Sequence, residues 1–264
     1  MASIAEIRNH YDSLAFVYQT FWGDHLHHGL FVDDQESPRQ AQIRMLDHCI
    51  QRLDLRGEKE VLDLGCGYGG TLIYLARLLD CHGVGLTISP KQARIAKESI
   101  AKAGLSHRLT VVLEDVATFL FPAEAFDLVW AMESSEHFAN KPQFLRDVAY
   151  TLRPGGKLLL TAWTGSMQDS RVSAVARSFL CPDLWTAEQY RGAIEATGMV
   201  VQHGDDLTSQ IVRTWEICRD HARRAEPVVK LLPRAARLFV DGIETILEAY
   251  QARALGYSVL VAKK

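Results

Sequence analysis

No apolar run in this sequence reaches the roughly 18 residues that a membrane-crossing helix needs, so no membrane span is expected. Neither sign of charge is in excess. Twenty-nine Lys and Arg face 32 Asp and Glu, for a net charge of -3. That leaves no reserve of positive charge for a phosphate backbone, so nucleic acid is not expected as a partner. The most basic short stretch, Arg219 to Arg224, is broken by Asp220 and reads as a solvated helix face. Cysteine is sparse. Cys49, Cys66, Cys81, Cys181 and Cys218 are odd in number and form no C-x-x-C pair. No secretory signal opens the chain, so reduced thiols in a cytoplasmic protein are the expectation. Internal repeats and low-complexity linkers are missing too. What the chain does have is apolar side chain, 48% of its 264 residues, enough for a sizeable core in one large α/β domain.

The middle of the chain alternates strand and helix signals. "KEVLDLGC" at 59–66 is a short apolar run ending in glycine, and "GGTLIYLARLL" follows with helical spacing. "HGVGLTI" reads as a second strand. "SPKQARIAKESIAKAG" opens on Ser89 as an N-cap with Pro90 at the first helical position, and closes on Gly104. "LTVVLED" and "FDLVWAM" are the third and fourth strands. "KPQFLRDVAYTLRPGG" is a helix ended by a Pro-Gly-Gly turn, and "KLLLTAW" is the fifth strand. Strands spaced by helices of this length predict parallel pairing with right-handed crossovers. Further on, "TAEQYRGAIEATG" reads as a helix and "MVVQHGDD" as a strand. A mostly helical stretch then runs from about Leu207 to Leu255, before a last strand, "GYSVLVAKK". The first fifty or so residues also look helical. Two segments, one near each end, are therefore available to cover a site.

"VLDLGCGYGG" carries the chemistry. Asp63, Gly65, Gly67 and Gly69 make a D-x-G-x-G-x-G loop between a strand and a helix. Glycines allow a sharp turn and close approach to a ligand, and a helix N-terminus offers unpaired N–H groups. The third glycine falls one position early for a dinucleotide fingerprint. An acid two places before the first glycine suits a ligand ammonium better than a pyrophosphate.

These motifs resemble the class I S-adenosylmethionine (SAM) methyltransferases over about residues 59–163. "ED" at Glu114–Asp115 and "LRPGGKLLL" fit the same family. The resemblance implies a Rossmann-like α/β fold. It would have a seven-stranded sheet, mostly parallel with an antiparallel C-terminal strand, flanked by helices and helical lid segments. It further implies SAM as cofactor and S-adenosylhomocysteine as product. Asp63 would lie near the methionine ammonium. Gly65, Gly67, Gly69 and Met132 would flank the methionine part, and Asp115 and Val116 the adenine. The family usually ends its second strand with an acid for the ribose, a position read here as Gly85. "GLT-x-S-x-x-Q" instead resembles the cyclopropane-fatty-acid synthases and tocopherol methyltransferases, which implies Thr87 and Gln92 beside the ribose.

The N-terminal "FWGDHLHHGLF", the loop "MESSEHFANK" and the C-terminal "ILEAYQARALGYSVLVAKK" resemble the tocopherol branch, so the likeness spans nearly the whole chain. Cyclopropane synthases carry a Cys near the position of His28, and this chain has none there. One domain is expected over 1–264. It comprises an N-terminal helical cover (1–55), a SAM-binding core (56–204), a helical cap insertion (205–255) and the final strand (256–264).

His25, His27 and His28 invite a metal reading. Adjacent histidines point in different directions in regular structure, and no His-x-x-x-His pair is present, so no metal is expected. Two readings remain. In one, a histidine packs into the cover while another faces water. In the other, His28 and Gly29 line the SAM pocket, with Tyr11 donating to the methionine carboxylate as the resemblance implies. Glu136 and His137 follow the fourth strand, where ligands bind in such sheets. His137 is the candidate base, Glu136 would orient it or take a proton itself, and His28 completes the catalytic set. An alternative for His137 is a purely structural role. Glu133 is a candidate anchor for the N-terminal cover. Trp163 would floor the acceptor pocket, and Leu231, Leu232, Leu238, Phe239 and Ile243 would form an apolar stripe, partly core and partly facing the acceptor. The expected activity is methyl transfer to a small, mostly apolar aromatic or prenylated metabolite. Lipid modification of the cyclopropane-synthase type, a non-methylating SAM enzyme and a non-catalytic SAM-binding module are the alternatives.

Overall fold

The computed structural model describes residues 3–21, 23, 25–33, 35–224 and 234–264. Trp22, Leu231 and Leu232 of the sequence reading lie outside them. The strands are β1 (Glu60–Leu64), β2 (His82–Thr87), β3 (Leu109–Leu113), β4 (Phe126–Met132), β5 (Leu152–Gly165), β6 (Val200–Asp206) and β7 (Leu255–Lys263). They form one sheet in the order β3-β2-β1-β4-β5-β7-β6. The pairs from β3 through β5 are parallel, and β7 runs antiparallel to both neighbours. The Rossmann-like arrangement expected from sequence is therefore present.

Side chains along the central strands alternate between two cores, as a period of two requires. Val61, Leu128, Trp130 and Leu159 enter one core; Leu62, Val129, Leu158 and Leu160 enter the other. Helices α3 (Gly70–Leu79), α4 (Pro90–Lys102), α5 (Lys141–Thr151) and α7 (Ala187–Glu195) flank the sheet. Local chemistry sets their starts. Ser89 caps α4 by accepting the Gln92 N–H, with Pro90 in the first turn, and Thr186 and Gln189 form a reciprocal capping box on α7.

Three boundaries differ from the sequence reading. Helix α5 ends at Thr151, and Leu152 already pairs with Phe126, so the Pro-Gly-Gly stretch is an irregularity inside β5 rather than a turn before it. A helix α6 (Ser170–Ser178), capped by Asp169, occupies a stretch in which no element was read. Strand β2 ends at Thr87, one residue short of the run "HGVGLTI" read as a strand, and Gly85 lies inside it.

The cover comes from both ends of the chain. Helix α1 (Ile4–Phe21) packs on α4 and on α9 (Arg234–Gln251); α9 packs on α6 and α8 (Thr208–Arg224). Phe239 and Ile243 of α9 are buried, whereas Leu238 is 52% exposed and leaves the expected stripe. The histidine segment between α1 and α2 (Pro38–Leu53) has no regular structure. Its backbone is tied down instead. Leu30 N–H donates to the Ala41 carbonyl at 2.9 Å, Phe31 N–H to the Gln210 carbonyl at 3.0 Å, and Gly29 N–H to Thr214 Oγ1 at 3.1 Å.

Candidate active site

The sheet reverses its order between β1 and β4, and one cavity lies beyond the carboxyl ends of these strands, as such a switch point predicts. On one side the glycine loop frames it. Gly65 has φ +91°, and a Cβ there would stand 2.5 Å from the Ser134 Cβ. Ser134 is itself fixed by a 2.5 Å bond to the Leu64 carbonyl. Gly67 faces Leu26 across the cavity mouth. Gly69 does not line the cavity; it caps α3 with its open face 3.3 Å from the Ala96 Cβ, so it serves helix packing.

Asp63 sits one residue before the end of β1 and is 3% exposed. Its Oδ2 has no partner. Burial pushes its carboxyl up to about 7, because nothing in the protein compensates the charge. Thr87, rather than Gly85, reaches the cavity. Gly85 pairs with Asp63, and a Cβ there would lie 2.8 Å from Cys66 Sγ, so that position has no room for an acid. Thr87 Oγ1 donates to Gln92 Oε1 at 2.7 Å, and both residues of this buried pair line the cavity. Asp115, half-buried, accepts the Ala117 N–H through Oδ1, and Val116 and Met132 close the same side.

The opposite side is built from side chains. The Tyr11 hydroxyl lines the cavity and meets His137 Nε2 at 2.8 Å. Burial drives His137 down to about 4, against an opposing contact with the Leu180 backbone, which makes it a neutral imidazole. Glu136 is 2% exposed. One of its oxygens accepts the Trp163 N–H at 2.8 Å and the other has no partner. Burial pushes this carboxyl up to about 8, so it is a neutral acid at pH 7. It makes no hydrogen bond to His137, and the partner that orients that ring is Tyr11.

The three histidines line the cavity; His27 and His28 are buried, and His25 is half-buried. His25 is pushed down to about 3 and His27 is also lowered, both chiefly by burial. Among the described residues, no three His, Cys, Asp or Glu are placed to hold a metal ion. His28 is fixed twice to Glu133. Its N–H donates to Oε1 at 2.8 Å, and its Nδ1 lies 2.7 Å from Oε2. Glu133 also accepts the Tyr257 hydroxyl at 2.7 Å. Burial works to raise the Glu133 pKa, but the His28 charge and hydrogen bonds outweigh it and hold the acid below its ordinary value. Gly29 faces Ala41 and Phe31, with no room for a side chain, and does not line the cavity.

Trp163, Phe179 and Trp215 make edge-to-face contacts at 5.1 to 5.9 Å and wall this end, with His28 against both tryptophans. Ile4 and Ile7 of α1, Tyr68, Phe179 and Cys181 also line the cavity and were not singled out from sequence. Trp215 was readable in hindsight, since Ile211 and Trp215 share one face of α8 at i, i+4 spacing.

A family profile described as "Mycolic acid cyclopropane synthetase" matches residues 1–226. Among curated proteins, the chain is similar to the chloroplastic tocopherol O-methyltransferase of Arabidopsis thaliana, at 25% identity over 98% of this chain and 81% of that protein. It is also similar to the 27-O-demethylrifamycin SV methyltransferase of Amycolatopsis mediterranei, at 28% identity over 98% of this chain and 97% of the other. Among solved structures, the [4+2]-cyclase SpnF superposes with a TM-score of 0.86 at 24% identity, over 100% of this chain and 97% of that one.

Proposed function

The chain belongs to the mycolic acid cyclopropane synthetase family and is a SAM-dependent methyltransferase; from that premise we propose that its acceptor is a small, mostly apolar aromatic or prenylated metabolite. The observation that carries the reading is the division of one cavity into two unlike halves. One half holds a buried, unpaired carboxylate at a glycine loop, and the other is walled by aromatic rings.

The first half fits SAM. Asp63 offers its unpaired oxygen to an ammonium, and the ligand's charge would restore the ionised form that burial disfavours. Gly65 and Gly67 let the backbone come close where a Cβ would meet Ser134 or Leu26. Thr87 and Gln92 serve the ribose, and Asp115 and Val116 the adenine. SAM supplies a methyl group already activated by its cationic sulfur. The chain's own part is to hold the acceptor in line with that methyl and keep water out. Tyr11, bonded to His137, closes α1 over the cavity. Trp163, Trp215 and Phe179 receive an apolar body. Glu136, neutral near pH 7, offers an O–H to a polar group on the acceptor.

The test is incubation with SAM and two acceptor pools, one of apolar phenols, quinols, indoles and prenyl lipids, the other of small charged amines. Methylated masses from the first pool alone are the expected result. Methylation confined to the second would overturn the reading.

A further inference from the structure

Glu133 stands out among the non-glycine residues with positive φ. It lies at the end of β4 with φ +50°, beside the cavity. That conformation is unfavourable for a side-chain-bearing residue and persists where surroundings impose it. Here it aims a buried carboxylate at a segment 105 residues away in sequence. Three donors fill that carboxylate: the His28 N–H, the His28 ring and the Tyr257 hydroxyl.

The ring contact places a proton. A carboxylate with no hydrogen of its own needs a donor, so His28 Nδ1 carries the proton, and in the neutral ring Nε2 keeps its lone pair. His28 Nε2 is buried, beside the cavity and without a partner. So are Trp163 Nε1, which can only donate, and one oxygen of Glu136. An unpaired buried polar atom has lost its water without a replacement, a loss that an entering group which both donates and accepts would recover. A hydroxyl does both. It gives its hydrogen to His28 Nε2 and accepts from Trp163 Nε1 or the Glu136 acid. An ammonium has no lone pair for Trp163, and an unsubstituted ring carbon pairs with none of these atoms.

We propose that His28, positioned by Glu133, is the general base of this enzyme and that the methyl acceptor is a hydroxyl on an apolar, aromatic-sized body. The proposal rests on the methyl-transfer reading. In the step, the acceptor O–H proton passes to His28 Nε2 as the oxygen bonds to the methyl carbon. The carbon–sulfur bond breaks with its electron pair going to sulfur. The imidazolium formed is stabilised by the Glu133 carboxylate and returns its proton to water after product leaves. The titratable groups facing this unit are His27, Glu133, Glu136, Tyr257 and Cys49.

Nitrogen NMR of the histidine-labelled full-length protein reads the tautomer without any acceptor. The expected spectrum has His28 protonated on Nδ1 and bare on Nε2, with that preference weakened in Glu133→Gln. A bare Nδ1 overturns the dyad. Kinetics on a hydroxyl acceptor taken from the apolar pool then test its use. His28→Gln is expected to lower kcat by about 100-fold or more while SAM affinity by calorimetry stays within about twofold. Glu133→Gln is expected to lower kcat by about tenfold to 100-fold, and to move the acidic limb of the kcat profile to lower pH, because the base loses its carboxylate neighbour. Equal losses in kcat and SAM affinity, or an unmoved limb in a Glu133→Gln protein of unchanged melting temperature, would show a structural role only. Methylation of amines or ring carbons alone would overturn the hydroxyl assignment and leave methyl transfer intact. Failure of both pools to take a methyl group, with the tautomer as expected, would count against methyl transfer and not against the dyad.

Discussion

The two halves of the cavity are made in different ways. The half proposed to take SAM is local. Asp63, Gly65 and Gly67 lie within five consecutive positions, and Thr87, Asp115 and Met132 sit at or just beyond the ends of successive strands. The acceptor half is assembled over distance. His28 meets Glu133 across 105 positions, Tyr257 meets Glu133 across 124, and Tyr11 meets His137 across 126. The first half depends on backbone shape and the second on side-chain pairing. Damage to each should therefore differ in kind.

The largest effect is expected at the turn. Gly65→Val places a branched side chain at φ +91° and against Ser134, so SAM binding should be lost in calorimetry. Stability should fall by about 2–4 kcal/mol, read from thermal or urea unfolding. Next comes Asp63→Asn, which removes the buried charge and should weaken SAM by about 10- to 100-fold. The wild-type sign follows from the raised pKa of about 7. Below that pH the carboxyl must lose a proton to receive the ammonium, so affinity should fall about tenfold per pH unit. The asparagine variant should lack this dependence. A variant that retains it would place the titrating group elsewhere.

In the acceptor half, His137→Ala should lower turnover by about tenfold or more and SAM affinity only slightly. It removes the Tyr11 contact and leaves the glycine loop intact. A variant that turns over the true acceptor at full rate would take His137 out of the account. The smallest effect is one of stability. Glu136 goes from an ordinary value of 4.5 to about 8 on folding. The native state thus holds a proton that the unfolded chain releases between those values. The stabilising contribution is fully present below 4.5 and is lost as pH rises through 8. Glu136→Gln has no such linkage. Its melting temperature should gain on the wild type as pH rises from 5 to 8. An equal difference at both pH values would show that Glu136 ionises normally.

This contrast also explains what the sequence discloses. Strands, the glycine loop, the Ser89 cap and the acid after β3 are local patterns, because period, turn chemistry and capping act over a few residues. The reading failed where local signals were ambiguous. The Pro-Gly-Gly stretch has turn residues but lies inside β5, where an irregularity in the pairing with β4 absorbs it. Gly85 was matched to the family's ribose-acid position at the end of the second strand, while the pairing with β1 runs on past it to Leu86 and the strand to Thr87. In the acceptor half the residue types could be picked out, and Glu133 could be read as an anchor for the cover, but the side chains that pair could not. Nothing near His28 in sequence names Glu133, and nothing near His137 names Tyr11. Only the closure of α1 and the histidine segment over the strand ends brings them together.

The central claim is that one half receives the SAM ammonium through Asp63 while the other handles the acceptor. Its most direct test is SAM calorimetry from pH 6 to 8 on the wild type, Asp63→Asn and Glu133→Gln. The account predicts a wild-type affinity that weakens below pH 7, a weak and pH-independent Asp63→Asn, and a Glu133→Gln indistinguishable from wild type. Equal losses in the two variants, with the same pH dependence, would contradict it and make the cavity a single undivided site.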